Sequence, residues 1–274
     1  MSKTILVLGS TGKTGSRVYN RLQSKGADVC PGSRKSVIPF DWYHEETWPK
    51  VLDGITGVYI TFQPDLAVPT SREIVTKFVQ VAKHAGVKKL VLLSGRGEQE
   101  AIACEEVVIG SGLAWTILRA SFFMQNFSEG FWVDGILSGE FVVPEVKTKE
   151  PFVDADDIAD VAVEVLPEDK HNGKIYELTG PQLLSFEDTI TKISGALKTN
   201  IKLVEVSTDE YTRMLNANNV PDDIIWLINY LFSEVLDGRN ASVENDIEVV
   251  LQRKASSFDD YVVKTIQSGK WQNQ

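Results

Sequence analysis

The stretch Val7-Leu8-Gly9-Ser10-Thr11-Gly12-Lys13-Thr14-Gly15 constrains this chain more than any other, because it joins a short apolar run to the start of a helical pattern. Ile5 to Leu8 is continuous and apolar, as in a parallel strand buried on both faces. Three glycines follow, with two residues between each pair. Gly9 permits a sharp turn, Gly12 lets the backbone approach a pyrophosphate, and Gly15 lets the next helix pack closely on the sheet. Free amides at that helix start then face an anion. The expectation is a dinucleotide site whose turn is one residue longer than that of G-x-G-x-x-G chains. Gly12-Lys13-Thr14 imitates the end of a P-loop, but that pattern needs glycine where Val7 stands inside the strand.

Strand and helix patterns then alternate. Val18 and Leu22 mark the buried face of a helix that stops at Gly26, and Ala27 to Pro31 reads as the second strand. An acidic residue at the end of that strand would select NAD; this chain has Gly32-Ser33-Arg34-Lys35-Ser36 there. Ser33 and the planar guanidinium of Arg34 suit a 2′-phosphate, so the expected cofactor is NADP(H). Val37 to Asp41 reads as a third strand, which places Asp41 and Trp42 beside the adenine. Gly57 to Phe62 is a fourth, delivering Thr61, Phe62 and Gln63 to the carboxyl edge, where open α/β sheets bind ligands. A helix from about Ser71 to Ala85 leads to a fifth strand, Lys89 to Leu93, which brings Ser94, Gly95 and Arg96 to the same edge. Ala114 to Arg119 is the sixth.

Beyond Arg119 the rhythm changes. Phe122 and Phe127 read as core, while Phe123, Met124 and Asn126, together with Arg96, are the expected lining of a substrate pocket. The acids of Asp154-Ala155-Asp156-Asp157 read as the start of a helix, and Lys174 to Thr179 as a further strand. From Leu184 onward come helices separated by one strand, Ile201 to Val206. The expected architecture is α/β: a doubly wound parallel sheet with right-handed crossovers and a smaller mixed C-terminal lobe. Residues 1–150 would form the nucleotide domain, 151–180 would return to it as a helix and a strand, and 181–274 would form the substrate lobe.

Composition narrows the partners. A chain of 274 residues can bury a substantial core, and 43% hydrophobic with 24% charged residues is ordinary for a globular protein. The net charge of −10 argues against nucleic acid or an anionic membrane as partner. Cys30 and Cys104 form no disulfide framework, and His44, His84 and His171 have no spacing that would hold a metal. With no signal peptide and no apolar run of membrane-spanning length, the expected location is the cytoplasm. Monomer and homodimer both remain open.

The chain resembles the NmrA-like, atypical branch of the short-chain dehydrogenase/reductases over nearly its whole length. The segments that carry the likeness are Gly9 to Gly15, Phe40-Asp41-Trp42-Tyr43-His44-Glu45-Glu46-Thr47-Trp48-Pro49, Val91 to Ser94, Trp115 to Arg119, Phe123 to Ser128 and Tyr176 to Pro181. Within that branch it is most similar to the ergot-alkaloid dehydrogenase type and to quinone oxidoreductase-like relatives. The resemblance implies a Rossmann-type fold and a nicotinamide cofactor. The family pattern usually has proline where this chain has Ala120, and some relatives have a lysine where it has Glu106.

Members of the superfamily commonly protonate their product with the tyrosine of Y-x-x-x-K. None of the seven tyrosines here has a lysine four residues later. Hydride addition to a ketone makes a basic alkoxide that needs a proton donor, so ketones are poor substrates for such a site. An iminium carbon becomes a neutral amine, and a quinone becomes a stabilised phenolate. The expected activity is therefore NADPH-dependent reduction of a small conjugated electrophile, with Ser94 orienting it. The alternative is a catalytically silent NADP(H) sensor of the NmrA type that acts on a partner protein.

Overall fold

A computed structural model describes residues 4–130 and 132–272. Strands β1 (Ile5–Leu8), β2 (Val29–Gly32), β3 (Gly57–Ile60), β4 (Lys89–Gly95) and β5 (Ala114–Ala120) alternate with helices α1 (Lys13–Ser24), α2 (Trp48–Val51), α3 (Ser71–His84) and α4 (Gln99–Ile109). Then follow α5 (Trp132–Ser138), β6 (Glu140–Pro144), α6 (Ala155–Val165), β7 (Lys174–Leu178), α7 (Phe186–Leu197) and β8 (Lys202–Val206). Helices α8 (Thr208–Ala217), α9 (Asp222–Tyr230), α10 (Asp246–Leu251) and α11 (Phe258–Gln267) complete the chain.

Six strands form one parallel sheet in the order β2-β1-β3-β4-β5-β7. From β1 the chain winds outward to β2, then returns to β3 on the other side, so the winding reverses at the tip of β1. Such a reversal opens a crevice at the carboxyl ends of the strands. Every residue of β1 and of β3 is buried, which explains their uninterrupted apolar runs. Helix α1 covers the sheet through Val18 and Leu22 and is tied to α6 by Arg17 and Arg21, both within 3.1 Å of Asp156. Asp156 therefore holds two helices together in addition to opening one.

The expected third strand, Val37 to Asp41, does not form. Ser33 and Ser36 close a turn through their hydroxyls, 2.9 Å apart, and the Phe40 amide donates to the Ser33 carbonyl at 3.0 Å. Val37 is left fully exposed. Phe40 and Trp42 alternate inward as in a strand, but they do so as ring anchors of a loop. Their rings meet Phe78 at 5.7 and 5.0 Å. Burial of aromatics, without ladder hydrogen bonds, produced the two-residue period that imitates a strand.

The chain divides into two compact units, and the division differs from the expected one. Unit 1 comprises residues 1–120, 155–178 and 245–253; unit 2 comprises 121–154, 179–244 and 254–274. Residues 121–154 belong to the smaller unit because Phe127 centres its core: its ring lies 5.7 Å from Phe141, 5.5 Å from Phe152 and 5.5 Å from Phe258. Strand β6 from this segment pairs in parallel with β8. Conversely, α10 returns to unit 1, where the Asp246 carboxylate accepts from the Glu177 amide at 2.7 Å and Arg253 reaches Asp157 at 2.7 Å. Sequence periodicity carries no signal for such late returns.

Candidate cofactor and active site

The glycine turn has the geometry its sequence requires. Gly9 sits at φ +65°, where a side chain would also strike the Thr61 hydroxyl, and its carbonyl accepts from the Gly12 amide at 2.8 Å. A Cβ on Gly15 would run into the Gly9 carbonyl and come within 2.9 Å of the Leu8 carbonyl, so only glycine lets α1 start this close to β1. No side chain caps α1, and its first turn holds no acid. Its amides are thus available to an anion, and Gly12 presents no side chain towards one. Thr11 is exposed and Lys13 half-buried, while Ser10 is buried with its amide donating to the Gly32 carbonyl at 3.3 Å. Thr14 turns inward beside the buried hydroxyl of Tyr59, whose pKa burial pushes up. Thr61 donates to the Leu8 carbonyl at 3.2 Å and so braces the turn from β3.

Arg34 and Lys35 project into solvent from the loop after β2, and Arg34 pairs with no described residue. An unpaired guanidinium beside the Ser33 and Ser36 hydroxyls suits the 2′-phosphate of NADP(H). Asp41 is half-buried and its carboxylate accepts from the Tyr43 amide at 3.0 Å. Gln63 is exposed, with its carbonyl 3.3 Å from the Tyr43 hydroxyl. The open turn, the capless helix and the free guanidinium together fit a dinucleotide phosphate.

Four expected contacts take other roles. Trp42 is only 5% exposed; its indole donates to the Thr61 carbonyl at 2.9 Å and its ring packs on Phe62 at 4.9 Å. Trp42 and Phe62 are therefore core supports beneath the nucleotide edge, with no face left for an adenine. Ser94 is buried, and its hydroxyl donates to Glu105 at 2.6 Å. Glu105, 1% exposed, also receives the Arg119 fork at 2.6 to 3.0 Å. A buried carboxylate must be neutralised and hydrogen-bonded, and these two donors do so. Ser94 thus has no proton to offer a substrate. Arg96, buried as well, is spent on Glu177 at 2.7 Å, so it braces β4 against β7 instead of lining a pocket.

The segment after β5 is described within unit 2. Met124, 1% exposed, lies in its core, with its amide donating to the Val153 carbonyl at 2.9 Å; it does not line a pocket. Phe123 and Asn126 are half-buried and accessible. Asp154, at the acid-rich stretch before α6, is buried and accepts from Gln125 at 2.7 Å.

Two acids escaped the sequence reading. Glu98, at the start of α4, folds its carboxyl back over Gly95, where a Cβ would collide with it. Asp65, after β3, accepts from the Ala67 amide at 2.9 Å. The two carboxyls face each other: burial raises the pKa of both, the contact with Glu98 pulls that of Asp65 back down, and the Asp65 charge pushes that of Glu98 well above the usual carboxylate range. Glu98 resembles an ordinary helix-opening acid in sequence; only Gly95, three residues earlier, hinted at its return.

Compared with known proteins, residues 1–262 match the model of the NmrA-like family. The chain belongs to the NmrA-like family. This NmrA-like chain is 26% identical to prestalk A differentiation protein A of Dictyostelium discoideum, with 96% of this chain and 92% of that protein covered. It is 29% identical to festuclavine dehydrogenase of Aspergillus fumigatus, over 94% and 96% of the two chains. The fold matches that of the NADPH-dependent quinone oxidoreductase of Escherichia coli solved with NADPH, at a TM-score of 0.82 and 18% identity over 96% and 99% of the chains. Among the described residues, no helix is long and apolar enough to cross a membrane, and no cluster of His, Cys, Asp and Glu could hold a metal.

Proposed function

We propose that this protein is an NAD(P)H-dependent oxidoreductase, with NADPH preferred, that reduces a small planar conjugated electrophile, either an imine or iminium or a quinone. The observation that carries the reading is the uncapped start of α1 behind Gly9, Gly12 and Gly15, with the unpaired Arg34 at the tip of the neighbouring strand. When bound, the nicotinamide supplies the hydride. The protein's residues supply position: α1 amides for the pyrophosphate, Ser33 and Arg34 for the 2′-phosphate, and Thr61, Gln63 and Gly95 at the strand tips for the remainder of the dinucleotide. In this reading Ser94 and Arg96 are supports of the cofactor edge, and Met124 is core. The dehydrogenase and quinone oxidoreductase names of its relatives are in line with it. The free cysteines suit a reducing cytoplasm, and burial pushes the Cys104 thiol up to about 11, so it stays protonated.

The test follows NADPH absorbance with a panel of quinones and cyclic imines, using protein shown to bind NADPH. Turnover of either class supports the reading, and none above background in both refutes it. One observation favours the sensor alternative: the Ser94 proton is committed to Glu105. A sensor would bind oxidised and reduced cofactor comparably, reduce nothing, and retain a protein partner in pull-down.

A further inference from the structure

If the site reduces a neutral imine, nitrogen must gain a proton, and the sequence lacks the usual tyrosine. The acids at the tips of β3 and β4 offer another source. Glu98 is 6% exposed, and its Oε2 is enclosed without a hydrogen-bond partner. It stands at the position preceding α4, where an acid commonly caps the helix, yet it makes no cap hydrogen bond. Its carboxyl instead lies on Gly95, which has room for it only because it lacks a Cβ. Asp65 is its neighbour and the more exposed of the two; its Oδ1 takes the Ala67 amide. Both lie at the carboxyl edge, after β3 and β4, the first and second strands beyond β1 on the side away from Arg34. A dinucleotide with its pyrophosphate at α1 and its 2′-phosphate at Arg34 extends its nicotinamide towards that side.

We infer that Asp65 and Glu98 hold one shared proton and that Asp65 donates it to the substrate nitrogen, with Glu98 as the positioning residue behind it. Two carboxylates in contact and out of water cannot both stay ionised, so the pair retains a proton that either alone would lose. Among the described residues, no cation compensates them: burial, the other carboxyl and the amides of Ala67 and Leu66 account for their titration. In the step, the Asp65 O–H bond breaks and an N–H bond forms, giving an iminium. Its carbon accepts a hydride from the reduced nicotinamide, which carries both electrons, and the product is the amine. The doubly ionised pair then takes a proton from water.

This role rests on the reductase reading, and the experiment separates the two. Wild type, Asp65→Asn and Glu98→Gln are assayed with a cyclic imine and with its N-methyl iminium, which needs no proton. The inference requires Asp65→Asn to lower kcat on the imine by about 10²-fold or more while the iminium rate changes less than about threefold. On the wild type, the imine rate falls as pH rises through the raised titration of the pair, and the iminium rate stays level. Infrared spectra of the cofactor-free protein at neutral pH should show a protonated carboxyl band that Glu98→Gln removes. Equal loss on both substrates, or absence of that band in wild type, overturns the proton role alone. No wild-type turnover of either substrate or of quinones overturns the reductase reading and this role with it.

Discussion

Gly15 and Arg34 show two ways in which one residue fixes a cofactor site. Gly15 acts by what it lacks: a methyl group there meets the Gly9 carbonyl, and backbone cannot move aside cheaply. Gly15→Ala should cost about 1–3 kcal/mol in chemical denaturation and weaken NADPH binding as the turn opens. Arg34 acts by what it offers. Arg34→Ala should raise the Kd for NADPH by about tenfold or more and leave NADH unchanged, measured by cofactor fluorescence titration; an unchanged NADPH Kd would rule out the clamp. Glu98 adds a pH dependence. Its pKa is raised in the folded chain, so the folded state holds the proton more tightly than the unfolded one, and stability falls as pH rises above the ordinary 4.5 towards the raised value. Glu98→Gln should flatten that part of a denaturation-versus-pH curve. A slope that persists in the variant would place the proton elsewhere.

At the scale of elements, β4, α4, β5 and β7 are joined by one ionic network in which Ser94 and Arg119 meet on Glu105, and Arg96 and Arg119 meet on Glu177. Its innermost member, Glu105, is the one that cannot be left alone. Arg119→Met should therefore destabilise the protein by about 3–5 kcal/mol, visible as a lower denaturation midpoint, because an ion stays buried without its partner. A loss below about 1 kcal/mol would show that Ser94 alone satisfies it. The same network explains the presence of a serine at the end of β4. Its position at the ligand edge suggested catalysis, whereas its hydrogen bond gives it a structural task.

For the whole molecule, neither unit is a continuous stretch of chain. Unit 1 needs α6 and β7 from residues 155–178 to cover α1 and to pair the far edge of β5. A fragment ending at Ala120 should accordingly fail to bind NADPH and lack near-ultraviolet circular dichroism, since it exposes the β5 edge and loses Glu177 and Asp156. A fragment that binds NADPH as the full chain does would show that 1–120 is self-sufficient.

The sequence by itself determined the parallel sheet, the glycine turn with its helix, and a nicotinamide cofactor, because these depend on local signals: uninterrupted apolar runs and glycines at set spacing between a strand and a helix. It also foretold the buried face of α1 at Val18 and Leu22, since a period of 3.6 survives any tertiary arrangement. Tertiary structure alone decided which polar residues are free. Ser94, Arg96 and Trp42 sit at the ligand edge in sequence, but partners distant along the chain (Glu105, Glu177 and the Thr61 carbonyl) occupy them. Asp65 and Glu98 were silent for the converse reason, because 33 positions separate two carboxyls that only the pairing of β3 with β4 brings face to face. A side chain's type is local, whereas its availability depends on what the fold places beside it.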